Sequence, residues 1–446
     1  MNLLAFFACV VCKATHGILR LLNKGATALP GTLALKICPD ILKTLAQNVR
    51  VIAITGTNGK TTSARMAVKA LENAGKSVFS NKSGANMPGG IAAAFIGNAT
   101  PFGRPKCDWA VIECDEGYSP VLFEALRPEV VLLTNLFNDQ ADRYGGIMNT
   151  RDTLVRALSL SPDSLLCVNA DSPVTASVAA KTANRKLYFG GDCGAKHAPD
   201  KTEIVTCPNC GAKLNYSCVT YSNLGDFRCL KCGFRRHVPD VLIKDIFDDD
   251  RMALKTGERM EIVRVALAGV YNAYNAAGVI GAVTAAGIDM EFAERAVSDF
   301  EGGFGRMESF PLGKKGARMI LVKNTAAVNQ TLDIIKKTRE PVTAVFIQNA
   351  RAGDGRDLGW LNDAEFEKLR RMSNVKKIIA SGDCAEEIKT RINSAGAECT
   401  AEKDYDELVE TLIGEENLIF LLPSYTAMLE IRQKLVHRLG GKDFWE

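Results

Sequence analysis

The sequence predicts an α/β protein in which two parallel, doubly wound sheets form two separate domains. Two series of apolar, β-rich runs support this prediction, because polar or helical stretches separate the runs of each series. The first series consists of the run beginning at Val51 and the runs 109–114, 130–135, 165–170 and 186–190. The second series consists of the runs 319–324, 342–349, 376–382 and 418–424. The break between the series predicts a larger central domain and a smaller, Rossmann-like C-terminal domain.

The bulk composition is that of a soluble globular protein with two or three domains. Of the 446 residues, 24% are charged and 47% are hydrophobic. The net charge of +4 gives no argument for binding nucleic acid. The 14 cysteines are scattered through apolar runs apart from one cluster, a pattern that fits a reducing cytosol better than a secreted disulfide scaffold.

Composition also predicts the domain boundaries. Residues 1–45 read as an N-terminal helical segment, 46–301 as the central domain and 311–446 as the C-terminal domain. The Gly-rich stretch 301–310 is predicted to be a linker. Residues 200–238 interrupt the strand–helix rhythm of the central domain and contain the cysteine cluster.

The N-terminal segment begins with NLLAFFACVVC, an apolar stretch that is too short to span a bilayer. It also lacks the basic start of a signal peptide. We therefore expect residues 3–23 to form an amphipathic helix that packs on the protein, in preference to resting on a membrane surface. Cys9 and Cys12 form a CxxC without a second pair nearby and are predicted core residues.

The most informative motif is a Gly-rich turn at the end of the first predicted strand, where residues 51–62 read VIAITGTNGKTT. Gly56 and Gly59 let the backbone bend tightly and point its N–H groups inward. Lys60 can bring a positive charge to the β/γ-phosphates of a nucleotide, and the Thr61 hydroxyl can bind Mg²⁺. The helix that follows adds its positive end. The order of strand, turn and helix predicts a phosphate loop.

Acidic side chains follow a second predicted strand. Glu113, Asp115 and Glu116 end the strand that begins at Trp109. Doubly wound sheets bind ligands at the C-terminal ends of their strands. Because these residues are predicted to lie next to a phosphate loop, we favour the interpretation that one of the carboxylates binds Mg²⁺ over the interpretation that they form a solvated acidic turn. A further polar cluster ends the next strand and comprises Thr134, Asn135, Asn138, Asp139, Gln140, Asp142 and Arg143.

The cysteine cluster has the spacing of a zinc ribbon. Cys207 and Cys210 form one CxxC, Cys229 and Cys232 form another, and eighteen residues separate the two pairs. Four thiolates at this spacing typically hold Zn²⁺ in a closed tetrahedral site. Because four protein ligands leave no open position, the predicted role of the metal is structural.

Two asparagines share one face of a predicted helix over 272–286. Asn272 and Asn275 lie three residues apart. Asn is a poor helix former, so contact with a base or ribose and capping or core hydrogen bonding are both open interpretations.

A Gly-rich acidic loop follows a strand of the C-terminal domain and contains Asp354 and Asp357. Such a loop is a candidate active-site or interface element. The chain has four histidines and none is paired with a cysteine at hydrogen-bond spacing. This argues against a self-contained Ser/His or Cys/His nucleophile, so any glutaminase chemistry has to come from another protein.

These motifs, in this order, resemble the Mur ligase family of ATP-dependent acid–amine ligases, and the resemblance covers residues 45–435. It is carried by TGTNGKTT, E-x-D-E at a strand end, G-x-x-N-x-x-N, and FGR-x-E in the linker. The inserted Cys₄ ribbon and the loop D-G-x-D-x-x-W narrow it to a subgroup. That subgroup works with a GatD-like glutaminase partner and amidates the D-glutamate α-carboxylate of lipid II at the inner face of the cell membrane.

The resemblance implies a set of site residues. ATP is expected at Gly56, Thr57, Asn58, Gly59, Lys60, Thr61 and Thr62, with Asn272 and Asn275 on the adenine side and the linker residue Arg306. Mg²⁺ is expected on Thr61 and on Glu113, in preference to Glu116. The resemblance assigns Lys60 and Glu113 to catalysis. It links the C-terminal acidic loop to the glutaminase and its catalytic centre, through Asp354 in preference to Asp357.

The sequence departs from the family at a few positions. Ile54 stands where the usual phosphate loop has its first Gly, and Gly359 replaces the Ser of the C-terminal D-x-S-W. Asn324-Thr325 replaces Asn-Pro, and Asp139-Gln140 stands where many Mur ligases have Asp-His. The family's N-terminal nucleotide-sugar domain has no counterpart before the phosphate loop, which agrees with a lipid-linked substrate.

Two other functions remain open on the sequence. One is a ligase of the Mur or folylpolyglutamate type that adds an amino acid in place of ammonia. The other is a nucleotide-dependent binding module whose ribbon contacts nucleic acid through Arg228, Lys231, Arg235 and Arg236. The weak net charge and the scarcity of aromatic residues in the ribbon argue against nucleic acid.

Overall fold

The computed structural model describes residues 3–21, 28–81, 85–137, 146–192, 206–247, 250–267, 269–300, 306–351, 354 and 359–439. Two compact units make up the chain. The first unit is Met1–Ala266 with Val270–Phe300, and the second is Leu267–Gly269 with Glu301–Glu446.

The first unit is built on a nine-stranded sheet. Its strands are β1 (Arg50–Thr55), β2 (Val78–Ser80), β3 (Trp109–Glu113), β4 (Val130–Leu133), β5 (Leu165–Asn169), β6 (Lys186–Gly191), β9 (Val241–Ile246), β10 (Arg251–Thr256) and β11 (Arg259–Arg264). Their order is β11-β10-β9-β6-β5-β4-β1-β3-β2. In this spatial order, all neighbouring strands between β9 and β2 pair in parallel. β10 pairs antiparallel with both β9 and β11, so β10 and β11 extend the sheet as an antiparallel hairpin. A separate antiparallel pair, β7 (Asn215–Tyr221) and β8 (Leu224–Arg228), lies in the predicted insertion.

The parallel part of this sheet confirms the first series of predicted strands. β1 and β3 both have a neighbouring strand on each side and are almost wholly buried, which explains why their sequences are continuous apolar runs rather than alternating ones. The hairpin β10–β11 was not predicted, because its strands contain only short apolar stretches, residues 252–254 in β10 and residues 262–263 in β11.

Helices cover both faces of the sheet. They are α1 (Leu3–Leu21), α2 (Leu29–Ile37), α3 (Ile41–Ala46), α4 (Lys60–Asn73), α5 (Pro88–Gly97), α6 (Ser119–Leu126), α7 (Ile147–Ser159), α8 (Pro173–Ala180), α9 (Val270–Ala285) and α10 (Met290–Ser298). Helix α9 is buried almost all round. It lies close to the sheet at Gly278, where an added Cβ would meet Phe189 at 3.0 Å and Leu132 at 3.1 Å.

Helix α1 packs on the first unit through small residues. Ala5, Ala8, Cys9 and Cys12 belong to the same buried cluster as residues of α3, α5 and β1. This agrees with the expected packing of the N-terminal helix and with the core role predicted for Cys9 and Cys12. By length and composition alone, α1 is also apolar enough to cross a membrane, which is a weak indication for a single helix near the N-terminus.

The second unit contains a six-stranded sheet in the order β12-β13-β17-β14-β15-β16. Its strands are β12 (Arg306–Phe310), β13 (Ala317–Ile320), β14 (Val342–Ile347), β15 (Val375–Ser381), β16 (Thr400–Ala401) and β17 (Leu418–Pro423). Its helices are α11 (Thr325–Lys337), α12 (Trp360–Asp363), α13 (Ala385–Ser394), α14 (Tyr405–Ile413) and α15 (Tyr425–Leu439). All pairs are parallel except β12–β13, so the Rossmann-like prediction holds for the core of the sheet.

One difference concerns the predicted linker. The sequence predicts a linker over 301–310, but Arg306–Phe310 forms the edge strand β12 and pairs antiparallel with β13. Phe310 is buried in the core of the second unit, so burial of this ring explains why the end of the Gly-rich stretch becomes a strand. Residues 301–305 lie outside the described part of the chain.

Candidate functional site

The phosphate loop joins β1 to α4, as predicted. Gly56 and Gly59 have φ angles of +127° and +87°, a region that favours glycine. Both also have close neighbours, since an added Cβ would lie 2.3 Å from Thr134 Oγ1 at Gly56 and 2.1 Å from Asn275 Oδ1 at Gly59. The loop therefore requires glycine at these two positions for its backbone conformation and for its packing.

The end of β4 holds the loop in shape. Asn58 N donates to Asn135 Oδ1 at 2.9 Å, and Thr134 Oγ1 donates to Asn58 O at 2.8 Å. The backbone of Thr57 adds a bond from its N–H to Asn135 O at 2.9 Å. Thr134 and Asn135, which the sequence placed at the ligand-binding edge, thus lie beside the loop and fix its backbone. The rest of that predicted cluster, Asn138, Asp139, Gln140, Asp142 and Arg143, lies outside the described residues.

Two carboxylates at the end of β3 meet the first turn of α4. Glu113 Oε2 accepts a hydrogen bond from Thr61 Oγ1 at 2.8 Å. Glu116 Oε1 lies 2.7 Å from Lys60 Nζ and also accepts from Gly56 N at 3.1 Å. All the side chains involved are buried or nearly so. The structure therefore brings the acidic strand end and the phosphate loop together, as the sequence predicted.

Lys60 carries its positive charge in this setting. Burial alone lowers the pKa of a lysine, but the nearby charges of Glu116 and Glu113 outweigh it and leave the pKa of Lys60 raised above its ordinary value. The ammonium group therefore persists throughout the physiological pH range. It is positioned beside the inward-facing backbone of a phosphate loop, where a polyphosphate binds.

Asn81 positions Glu113 and was not identified from the sequence. Its side chain accepts a hydrogen bond from Glu113 N at 2.9 Å and donates one to Glu113 O at 3.0 Å. Asn81 follows the short strand β2, which has only three residues and gives no recognisable apolar run. A polar residue at the C-terminal end of a further parallel strand was the only available signal.

The donor set at this edge fits Mg²⁺. The Thr61 hydroxyl and the Glu113 carboxylate are oxygen donors in direct contact, and Mg²⁺ in nucleotide sites is typically held by one or two such protein groups together with phosphate oxygens. Glu116 accepts hydrogen bonds from the Lys60 ammonium group and from Gly56 N, whereas Glu113 contacts the Thr61 hydroxyl, so Glu116 is the less available of the two glutamates for a metal.

Asn272 and Asn275 are both buried in α9, and Asn275 Nδ2 donates to Asn272 Oδ1 at 3.4 Å. The close approach of Asn275 to Gly59 brings this pair to the phosphate loop. Their predicted contact with the adenine side of ATP stays a prediction. Arg306 begins β12, and its side chain lies outside the described part of the chain.

The structure brings the four cysteines of the cluster close enough together to hold one metal ion. The Sγ atoms of Cys207, Cys210, Cys229 and Cys232 all lie within 4.8 Å of one another. Two of the Sγ–Sγ distances, Cys207 to Cys232 and Cys210 to Cys229, are 3.6 Å. Zn–S bonds of about 2.3 Å in a tetrahedron place sulfur atoms about 3.8 Å apart. Four thiols at this separation fit Zn²⁺.

Each cysteine pair is held in a matching turn. Cys207 N donates to Ala212 O and Gly211 N donates to Cys207 O in the first turn. The second turn repeats this pattern, with Cys229 N donating to Phe234 O and Gly233 N to Cys229 O. The glycine after each second cysteine has a positive φ, +71° and +75°, which lets the backbone fold back over the sulfur atoms.

A buried ion pair connects the ribbon to the rest of the first unit. Arg236 Nε lies 2.6 Å from Asp171 Oδ1, and Asp171 also accepts from Tyr274 OH at 2.5 Å and from Gly191 N at 2.7 Å. Burial raises the pKa of Asp171, and the positive charge of Arg236 opposes that shift. From its sequence, Arg236 was only a candidate contact to nucleic acid, whereas its described contacts lie within the protein.

In the second unit, Asp354 caps helix α15. Its carboxylate accepts hydrogen bonds from Thr426 N at 2.7 Å and from Thr426 Oγ1 at 2.5 Å. Asn349, at the end of β14, donates to the same Thr426 hydroxyl at 3.1 Å and is itself buried. Asp354 thus ties its loop to the start of a helix. Asp357, the other acidic candidate of this loop, lies outside the described residues.

Comparisons with known proteins identify the class to which this fold and site belong. The family model "Mur ligase middle domain" matches residues 54–283, and the model "MurT ligase C-terminal" matches residues 321–428. The chain therefore belongs to the Mur ligase family. Among solved structures, a pseudomurein peptide ligase type C from Methanothermus fervidus has a TM-score of 0.70 at 21% identity and covers 90% of this chain and 80% of that one. This likeness concerns the fold.

Two relatives narrow the class to MurT-like chains. The lipid II isoglutaminyl synthase (glutamine-hydrolyzing) subunit MurT of Streptococcus pneumoniae is 31% identical over 98% of this chain and 98% of its own length. The protein of the same name from Staphylococcus aureus is 32% identical over 97% of this chain and 98% of its own length. The predicted resemblance, including its narrower subgroup, is confirmed.

Proposed function

We propose that this chain is the ligase subunit of a lipid II isoglutaminyl synthase. In this reaction the α-carboxylate of D-glutamate in the lipid II stem peptide becomes a carboxamide at the expense of ATP, with ammonia supplied by a GatD-like glutaminase. The similarity to two MurT chains over nearly the full length carries the proposal. The arrangement of Lys60, Thr61 and Glu113 around the phosphate loop supports the ATP-dependent step.

A carboxylate is a poor electrophile, so the reaction needs an activated form of it. Transfer of the γ-phosphoryl group of ATP to a carboxylate oxygen gives an acyl phosphate and ADP. Ammonia then attacks the carbonyl carbon, the carbon–oxygen bond to phosphate breaks, and the amide and inorganic phosphate are released. Lys60 and the N–H groups of the loop are placed to stabilise the negative charge of the transferring phosphoryl group.

The metal ions have different proposed roles. Thr61 and Glu113 would hold Mg²⁺ together with the phosphates, and the bound ion would neutralise charge on the nucleotide. The four cysteines leave no open coordination position, so Zn²⁺ maintains the fold of the ribbon. Both assignments rest on the fit of the donor atoms described above.

The glutaminase partner provides ammonia where it is needed. Free ammonia is scarce at neutral pH because most of it is protonated, so a bound source with a protected route is physically reasonable. The acidic loop of the second unit is proposed to serve this partner. The two hydrogen bonds that Asp354 accepts from Thr426 favour a positioning role for Asp354. Asp357 is then the carboxylate of that loop that we propose to act in the catalytic centre of the glutaminase, and we call it the reactive carboxylate.

The test is turnover by the purified chain with lipid II, ATP and either ammonium chloride or glutamine, with and without the glutaminase. We expect ammonium to support ADP release by the chain alone, and glutamine to support it with the partner present. Mass spectrometry of the stem peptide should show replacement of a hydroxyl by an amino group. Lys60→Ala should abolish turnover, whereas Lys69→Ala, on the exposed side of the same helix, should not.

Turnover that requires a free amino acid would instead identify a ligase that adds a residue to the stem peptide. No ADP release under any of these conditions would overturn the proposed function.

A further inference from the structure

Helix α1 has its small residues inside and its large apolar residues outside. The side chains that face the core are those of Ala5, Ala8, Cys9 and Cys12, and none of them is more than 3% exposed. On the opposite side lie Leu3, Phe7, Val10 and Ile18, which are 71%, 51%, 40% and 58% exposed. Because 100° separates successive residues of a helix, these four share one stripe. A helix that only packs on a soluble protein shows the reverse arrangement.

The exposed surface extends beyond α1. The ring of Phe102, which is 71% exposed, lies 5.6 Å from the ring of Phe6, centroid to centroid. Lys13 Nζ donates to Ala99 O, which ties the middle of α1 to the segment before Phe102. We define the α1 face as the outward stripe of α1 together with Phe102. The inner side of α1 packs on the core, and the contact between Phe6 and Phe102 makes the face continuous, which distinguishes it from single hydrophobic residues scattered over a surface.

The two sequence segments that contribute to the α1 face carry basic residues and no acidic ones. Residues 1–39 contain four basic residues and no acidic one; the first acidic residue of the chain is Asp40. The whole chain has 55 basic and 51 acidic residues, so the rest of the chain carries 51 of each, and its entire net charge of +4 comes from this segment. Arg104 and Lys106 follow Phe102 and are also exposed, and residues 82–107 contain no acidic residue.

We propose that the α1 face docks on the surface of an anionic lipid membrane, with α1 lying flat in the interface. Apolar side chains then enter the boundary between headgroups and acyl chains while the basic side chains meet anionic headgroups. The helix does not span the bilayer, because its inner side is part of the protein core. The inference that the chain docks on a membrane depends only on the α1 face. The purpose of docking, which is to bring the nucleotide site to a lipid-linked substrate, rests on the proposed function.

The test is sedimentation of the full chain with its glutaminase on vesicles of phosphatidylcholine, with and without phosphatidylglycerol. The test variant is Phe7→Ser/Val10→Ser/Ile18→Ser. The matched control is Val238→Ser/Met260→Ser/Ile262→Ser, which removes three apolar side chains that are 84%, 51% and 52% exposed in the same unit. Circular dichroism and melting curves check that both variants fold.

We expect the wild type to sediment with the anionic vesicles and to bind less at high salt. The α1 variant should lose at least about tenfold in partition constant, and the control less than about twofold. Arg20→Gln and Arg104→Gln should each lower the partition constant on the anionic vesicles by about fivefold. This is the effect expected from the loss of one basic side chain near such a surface.

Absence of wild-type binding, or equal losses in the test and control variants, would overturn the proposal. So would light scattering that shows the α1 variant breaking a dimer or releasing the glutaminase, because the α1 face would then be a protein interface. A substrate with a short, water-soluble lipid separates this proposal from the proposed function. The α1 variant should turn over that substrate normally and fail only on lipid II in vesicles. If even the wild type turns over neither substrate, the function is wrong, while vesicle binding still tests the membrane surface.

Discussion

Lys60 and Glu116 form an ion pair inside the phosphate loop, with Nζ 2.7 Å from Oε1 and side chains that are only 12% and 10% exposed. The same carboxylate oxygen accepts a hydrogen bond from Gly56 N. Glu116 therefore engages two of the donors that a phosphate group uses in such loops. A bound polyphosphate and Glu116 compete for these donors, so the strength of this ion pair sets part of the cost of binding ATP.

Glu116→Gln should strengthen nucleotide binding, because the amide holds Lys60 and the Gly56 N–H less tightly than the carboxylate does. We expect the Kd for ATP, measured by calorimetry without Mg²⁺, to fall several-fold. The substitution also leaves Lys60 without its nearest counter-charge. Melting temperature without nucleotide should therefore fall, and the rise produced by ATP should be larger than in the wild type.

Glu113→Gln is the matched control for that prediction, since it keeps the Lys60–Glu116 pair and changes the carboxylate beside Thr61. The Mg²⁺ concentration for half-maximal turnover should rise at least about tenfold, with little change in the Kd for ATP measured without metal. If Glu116→Gln produced the larger rise in Mg²⁺ requirement, the roles of the two glutamates would be exchanged.

The ribbon should contain one zinc ion per chain. We expect mass spectrometry under native conditions to show the metal in the wild type and its loss in Cys207→Ser/Cys232→Ser. The same variant should melt at a lower temperature, because the metal ion no longer connects the two turns of the ribbon. Cys107→Ser, at a half-buried free cysteine outside the cluster, should keep both the zinc and the melting temperature.

Much of this architecture could be predicted because it depends on local signals. The apolar runs of β1, β3, β4 and β5 predict buried parallel strands, and TGTNGKTT, the acidic strand end and the two CxxC pairs are compact motifs. What remained hidden depends on contacts between distant residues. Asn81 reaches Glu113 across 32 positions, Arg236 reaches Asp171 across 65, and Asp354 reaches Thr426 across 72. No spacing rule connects such pairs until the fold brings them together.

The Asp171–Arg236 pair should be a major support of the ribbon. Arg236→Met removes the positive partner of a carboxylate whose own side chain is fully buried. We expect the free energy of unfolding to fall by about 3 kcal/mol in urea denaturation, the lower end for such pairs, because Tyr274 and Gly191 still donate to Asp171. Asp171→Asn in the Arg236→Met background should recover part of the loss.

This destabilisation should depend on pH in a defined direction. Burial already raises the pKa of Asp171, and loss of the Arg236 charge raises it further. A carboxyl group whose folded pKa lies above its unfolded value of about 3.9 destabilises the fold above the folded pKa, and this penalty fades as the pH falls towards the unfolded value. The gap in stability between wild type and Arg236→Met should therefore shrink as the pH falls through the folded pKa that Asp171 has in the variant. A gap that widens on acidification would contradict the assigned charge state.

The contacts of Asp354 predict different outcomes for two substitutions at that position. Asp354→Asn keeps a side-chain oxygen that can accept from Thr426 N, whereas Asp354→Ala removes the cap of α15. We expect Asp354→Ala to lose about 1 kcal/mol of stability and to impair turnover driven by glutamine, and Asp354→Asn to retain most of both. Asp357→Asn should abolish turnover driven by glutamine.

Turnover driven by glutamine distinguishes a positioning role of Asp354 from a reactive one. If Asp354 has a positioning role, Asp354→Asn should remain active with glutamine, because that role depends on the hydrogen bond to Thr426 and not on the negative charge. If Asp354→Asn instead lost turnover as completely as Asp357→Asn, at unchanged stability, the charge of Asp354 would be needed for the reaction. Asp354 would then be the reactive carboxylate of the loop, despite the two hydrogen bonds that it accepts from Thr426.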